Sequence, residues 1–554
     1  MTYPWSVGDP LLAADLNAAI ANAAGAENVL GHGADPMGVA DSTAAINAAA
    51  SATAGGVYRN VYLPSGNYLV TGQLNIGGGQ TLFGDGRGLT SIRVTTTFNA
   101  AALGVIVMAG REAQSPTVRD LSIIFAQPPD VVTTATAASA AGTNTITVAS
   151  VANILVGGSV TDATGGIVPA LTTVVSIAGN VVTLSAALTG SGVASGHSIH
   201  FNTSRALFRT LAAGATVGPG GTGCKYPPAI YSDTSNRFRL RDVRVEAAWD
   251  GISAGRVNAT GGFIIENMEM GAFNLGLFLD QGHDFGHLAR YHFWAFGISG
   301  NLFSEVFADG QTMAAEFGFL NGMQIDDMTV LMGILHFNTS ASGGWFHINK
   351  LASDQAQIKV DAAEWLQIDT VYIVRGLPAT SVHSNINVSG GVVQIGNIYT
   401  TSNVAYPHID VTGGSVAIYG GRLGDAFVYP GAPLARVTAG SLELYDLRIG
   451  GAASATQPLV AQIGASGTLI VHNCQFPTSG SGVGIAIATD NAAHSVQGNN
   501  LNGWTFTAPG PLGNYGTAAL AVSPSYASDA AAATGGVKVG RSYRNGSQVM
   551  VRVT

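Results

Sequence analysis

Three short stretches decide the fold: Asp242-Val243-Arg244-Val245, Asn267-Met268-Glu269-Met270 and Asp446-Leu447-Arg448-Ile449. Each is a turn-forming residue followed by an apolar, a variable and a second apolar residue. The signature recurs at Asp120-Leu121-Ser122-Ile123, Asp327-Met328-Thr329-Val330, Asn397-Ile398-Tyr399-Thr400 and Asn473-Cys474-Gln475-Phe476, with looser copies at Arg290, Asn349, Asp369 and Asn500. Steps such as 242 to 267 and 267 to 290 lie in the twenties. That period, with strand-and-turn texture and no helix inside it, fits one coil of a parallel β-helix. The apolar positions then point into a shared core and the variable position points outward. Arg244, Glu269 and His292 are thereby expected to form one exposed column on successive coils, about 4.8 Å apart, in which Arg244 and Glu269 are placed to pair.

Composition agrees with this pattern. Charged residues are 10% of the 554, against about 25% in ordinary soluble proteins, because most of a coil faces the core or a neighbouring coil. Apolar residues are 47%, yet no run approaches the roughly 18 residues of a spanning helix, so membrane insertion is not expected. The net charge of −9 is spread without a basic block, which argues against nucleic acid. Cys224 and Cys474 have no metal-type spacing and read as core thiols. The opening Met1-Thr2-Tyr3-Pro4-Trp5-Ser6 lacks the pattern of a secretory signal.

Helical periodicity is confined to Pro10–Ala24 and Asp41–Ala52, the second with Asp41 or Ser42 as its cap. From Tyr58 onward the chain reads as strands of three to six residues. Residues 131–201 break the repeat with alternating strands such as Thr145-Ile146-Thr147-Val148 and Val181-Val182-Thr183-Leu184, and read as a small inserted β-domain, either a spacer or subunit contact or a carbohydrate-binding module.

Gly33-Ala34-Asp35-Pro36-Met37-Gly38-Val39-Ala40-Asp41-Ser42-Thr43, then Val61-Tyr62-Leu63-Pro64-Ser65-Gly66-Asn67-Tyr68 and Gly84-Asp85-Gly86-Arg87-Gly88, resemble the opening coils of the pectate-lyase-like superfamily found in phage tailspikes. Asp35-Pro36-Met37-Gly38 stands where that family usually has Gly-Asp-Gly. Trp5 to Ala19 resembles the start of many phage tail proteins, and Gly535 to Ser547 resembles a C-terminal segment of prophage structural proteins. The resemblance implies a virion protein of the phage tail, attached to a tail or baseplate protein through its N-terminus, forming a homotrimer and acting on a bacterial surface polysaccharide outside the host. The expected architecture is all-β: a right-handed parallel β-helix with a short N-terminal capping helix and an inserted small β-domain. Its expected divisions are an attachment segment (1–30), the first coils (31–127), the insertion (128–202), the main β-helix (203–505) and a C-terminal segment (506–554).

Depolymerisation proceeds by hydrolysis, which needs two carboxyl groups about 5–5.5 Å apart for retention or 6.5–9.5 Å for inversion, or by β-elimination, which needs a base and a cation. The four lysines give little support to a Lys base, whereas Arg290 or a His/Tyr pair stays open. Seven acids lie between Asp280 and Asp327, so Asp280 and Asp284 are candidates for one half of an acid pair and Glu269 or Asp309 for the other. His283 or His292 would orient the pair or the substrate, with Arg290 and Trp294 as further substrate-binding residues. Asp250, before Gly251, reads as a turn residue. No metal or cofactor is implied. The readings left open are a glycoside hydrolase, a polysaccharide lyase, and a glycan-binding or structural tail protein without catalysis.

Overall fold

The computed structural model describes residues 25–54, 57–77, 79–95, 97–99, 101–110, 114–126, 131–162, 166–169, 172–202, 226–232, 237–297, 312–338, 344–375, 384–401, 407–424, 432–450, 457–477, 482–489, 493–509, 526–535, 537, 542–545 and 548–551. The expected helix at Pro10–Ala24, Cys224 and Asp309 lie outside them. Two compact units are present, Met1–Asp284 with Tyr291–Thr312, and Phe285–Arg290 with Met313–Thr554.

In the first unit strands pair in parallel, in register apart from local bulges. Arg239–Ala254 lies beside Ile264–Leu279 with Arg239 opposite Ile264 and Ala254 opposite Leu279. The repeat places apolar residues at the same height on each coil, so Ile92, Ile123, Val245 and Met270 stack in register, all buried. Burial of each such side chain contributes about 1.5–3 kcal/mol. Asp120, Asp242 and Asn267 all adopt left-handed backbone (φ 58°, 51° and 52°), a conformation short polar side chains tolerate better than most. There they bend the chain, and the Asn267 side-chain amide donates to the Asp242 carboxylate one coil away.

The first helix is Thr43–Ser51. Ser42 occupies the cap position, but its hydroxyl accepts from Asp35 N rather than from the helix, and the Asp41 carboxylate takes the Thr43 amide instead. Asp35 itself accepts from the amides of Met37, Val39 and Ala40, which ties the Asp35-Pro36-Met37-Gly38 turn together.

Thr117–Phe125 pairs with Arg239–Ala254, so the stack continues across the intervening chain. Within that chain Val131–Thr134, Ser159–Asp162 and Ser198–Asn202 form one antiparallel sheet, and Thr145–Thr147, Val174–Ala178 and Val181–Leu184 form another. They enclose their own core, including Ile146, Val160, Val182, Ile199 and Phe201.

The second unit is likewise a parallel β-helix. Ile368, Ile395, Ile418, Leu444 and Val471 stack on five successive coils and are fully buried. Strands reach 18 residues, as in Trp345–Ala362, longer than the three to six expected. Single left-handed residues such as Gln355 turn the strand while neighbouring pairs stay in register. At another bend Gly391, Gly414 and Gly440 stack with φ of 81°, 67° and 78°, and a Cβ on Gly440 would stand 2.1 Å from the Gly414 carbonyl oxygen. Only glycine fits there.

Candidate carboxylate site

The outward column of the first unit runs through Ser122, Arg244 and Glu269, which are register partners. Arg244 Nε donates to Glu269 Oε2 at 2.5 Å. Its Nη1 donates to Glu246 Oε1 at 3.3 Å, since Glu246 stands two positions further along the same strand and shares its face. One guanidinium thus bridges two carboxylates on adjacent coils. Their nearest oxygens lie at most about 8 Å apart, a span that includes a retaining pair and the lower part of the inverting range. Arg87 Nη1 approaches Glu269 Oε1 at 3.3 Å from an earlier coil.

The walls come from the segment after His292. Ala247, in left-handed backbone at φ 54° where the ladder slips register, donates its amide N–H to Phe296 O at 3.0 Å. Gly297 follows at φ 70°, and a Cβ there would meet Glu246 Cβ at 2.6 Å. Bulges of this kind re-aim side chains. The Phe296 ring lies 5.4 Å from the Arg244 guanidinium and 5.2 Å from the His292 ring, edge to face. The column expected to be exposed is therefore half-buried, because Arg87 and Phe296 lie against it. Burial lowers the His292 pKa, with Glu269 acting in the opposite direction. His292 Nε2 is buried and has no hydrogen-bond partner among the described residues, which leaves one ring nitrogen of the cluster uncommitted.

Glu269 and His292 are thus brought into one cluster. Asp280, Asp284 and His283 lie beyond the end of the strand Ile264–Leu279, which separates them from Glu269 along the coil. Asp280 accepts from the Gln281 amide at 2.7 Å, and the half-exposed Asp284 pairs with Arg237 at 3.1 Å. His283 is exposed. Trp294 is partly buried and its amide donates to Met270 O at 3.0 Å. Arg290 is exposed at a left-handed corner, φ 59°. Asp250 is no turn residue: it lies within the strand Arg239–Ala254, 4% exposed, where burial lifts its pKa to about 6 against the opposing Asn274 hydrogen bond and the Arg256 charge.

Sequence reading missed Glu246 and Arg87. The strand alternation carries a signal for Glu246, because Arg244 and Glu246 are two apart. Nothing local marks Arg87, which reaches the site only through coil stacking.

Parallel coils with a charged outward column define a parallel β-helix protein. Residues 26–211 match the family model described as rhamnogalacturonase A/epimerase, pectate lyase-like. No curated protein matches the sequence. Among solved structures, the chain is similar to the tailspike protein gp49 from Pseudomonas phage LKA1 (14% identity, TM-score 0.38, covering 86% of this chain and 83% of that one). It is also similar to an N-terminal fragment of bacteriophage Phi29 gene product 12 (13%, 0.44, 89% and 74%), and to the catalytic unit of a GH87 alpha-1,3-glucanase from Streptomyces thermodiastaticus (12%, 0.34, 87% and 70%).

Proposed function

We propose that this protein is a tailspike-type depolymerase that binds a bacterial surface polysaccharide and cleaves it within the chain by hydrolysis. The observation that carries the reading is the bridging of Glu246 and Glu269 by Arg244 on adjacent coils, which gathers around one guanidinium the two carboxyl groups that glycoside hydrolysis needs. In this reading one carboxyl group protonates the leaving oxygen, the other serves as base or nucleophile, and Phe296 offers an apolar wall for a sugar ring. The pectate-lyase-like match over the first coils supports carbohydrate as the substrate class. The phage-tail location and attachment through the N-terminus belong to the same proposal and rest on the resemblance of the terminal segments, and the homotrimer rests on the resemblance of the coils to the pectate-lyase-like superfamily. A right-handed coil belongs to it too, as parallel crossovers take that hand in nearly all proteins.

A second reading, β-elimination, is favoured by one observation: the uncommitted Nε2 of His292 in a cluster that also holds Arg244. That combination supplies a base and a cation for the carboxylate of a uronic acid.

Incubation with purified surface polysaccharides from candidate hosts, following chain length and ultraviolet absorbance together, tests the proposal. Shortening without new absorbance supports hydrolysis, and shortening with it supports elimination. Binding of the host glycan with no shortening overturns both.

A further inference from the structure

The two carboxylates bridged by Arg244 are unequally supplied with cations. Glu269 meets two: Arg244 Nε lies 2.5 Å from Oε2 and Arg87 Nη1 lies 3.3 Å from Oε1, so both of its oxygens face positive charge. Arg87 Nη1 makes no hydrogen bond among the described residues, so it acts on Oε1 as a charge and leaves that oxygen's lone pairs open. Glu246 meets Arg244 through Oε1 at 3.3 Å, and its Oε2 has no ion pair among the described residues. The further titratable neighbour of Glu269 is His292, which its charge reaches.

Arg87 is held in place by the coil next to Arg244. Before it, the Asp85 carboxylate accepts from Tyr62 OH at 2.8 Å and from the Ser65 amide at 2.7 Å. The Gly86 amide donates to Asp120 O at 2.9 Å, and Ser122 Oγ donates to Arg87 O at 2.6 Å. Ser122 is the register partner of Arg244. The backbone of Arg87 is thus tied to the same outward column that its guanidinium follows to Glu269, and a group fixed in this way adds charge at a defined point.

We propose that Arg87 is a positioning residue that divides the roles of the pair: Glu269, set between two guanidinium groups, is the base or nucleophile, and Glu246 is the acid. The inference rests on the hydrolase reading. The proton of Glu246 passes to the glycosidic oxygen as its bond to the sugar C1 breaks. In inversion a water oxygen bonds to C1 and gives its proton to Glu269. In retention a Glu269 oxygen bonds to C1, and water later displaces it while giving a proton back to Glu246.

The test is the pH dependence of the initial rate of glycan shortening at limiting substrate, on the surface polysaccharide that the parent cleaves. In the parent the rate falls at low pH as the base is protonated and at high pH as the acid ionises. Arg87→Gln is expected to move the low-pH fall upward by about half a pH unit or more, because a cation beside the base is removed, and Arg87→Lys should restore it. The residual activity of Glu246→Gln should lose the high-pH fall, and that of Glu269→Gln the low-pH fall. Three results overturn the inference while leaving hydrolysis standing: a low-pH fall unmoved in Arg87→Gln, an activity loss equal at every pH that lysine does not recover, or exchanged profiles of the two glutamine variants. A parent that shortens no surface glycan overturns the hydrolase reading and this inference with it.

Discussion

Arg244 donates from Nε to Glu269 on the next coil and from Nη1 to Glu246 on its own strand. It is about a third exposed, so solvent screens the pairs and their worth to stability is within about 1 kcal/mol. Its geometric role is larger, because only a planar fork spans both carboxylates. Arg244→Lys is therefore expected to leave urea unfolding nearly unchanged while lowering the rate of glycan shortening by about a hundredfold. An equal loss of stability and activity would make Arg244 a structural residue.

Asp250 gives a pH dependence with a definite sign. Its folded pKa of about 6 exceeds the unfolded value of about 3.9. Both forms are protonated well below pH 4. As pH rises from about 4 to 6 the unfolded chain ionises first, so this group removes stability, up to about 3 kcal/mol above pH 6. Asp250→Asn retains an acceptor for Asn274, which now donates to Asp250 Oδ1 at 2.7 Å, and escapes the penalty. Its stability advantage in urea should grow between pH 4 and pH 7. A constant difference would rule out this origin.

The glycine stack of the second unit predicts a sharp contrast between two substitutions. Gly440→Ala meets the Gly414 carbonyl at 2.1 Å as well as left-handed strain, and should cost more than about 3 kcal/mol. Gly179→Ala, at φ 57° with nothing within 4 Å, meets strain alone and should cost about 1–2 kcal/mol. Equilibrium unfolding compares the two.

Asn267 joins a left-handed corner to a side-chain hydrogen bond with Asp242. Asn267→Gly keeps the backbone and loses the bond, whereas Asn267→Ala loses both. The alanine variant is expected to be the less stable by about 1 kcal/mol, as read from midpoints of urea unfolding. The reverse order would show that the side-chain ladder outweighs the bend.

The corners were legible because the constraint is local. Of the seven turn residues of the repeat, Asp120, Asp242, Asn267, Asp446 and Asn473 take left-handed backbone, whereas Asp327 and Asn397 lie within the strands Met323–Asn338 and Val392–Thr400. The apolar residues that follow them point inward for the same reason. The site was legible only in part. Glu269 and its alignment with Arg244 follow from the period, but the bend at Ala247 and the return of Phe296 over Glu246 depend on a register slip that no pattern announces. Asp250 misled because Asp-Gly usually marks a turn, whereas here the core behind the strand Arg239–Ala254 keeps the pair extended. The density of acids between Asp280 and Asp327 drew attention to residues such as Asp284, which is a surface ion pair with Arg237.

The most direct test of the carboxylate pair compares the initial rate of glycan shortening by the parent protein with that of Glu246→Gln and Glu269→Gln, on the surface polysaccharide that the parent cleaves, with binding of the same glycan measured alongside. Each variant is expected to bind and to cleave about 10²–10⁴-fold more slowly. Cleavage at the parental rate by both variants would contradict the assignment and place the acid pair elsewhere.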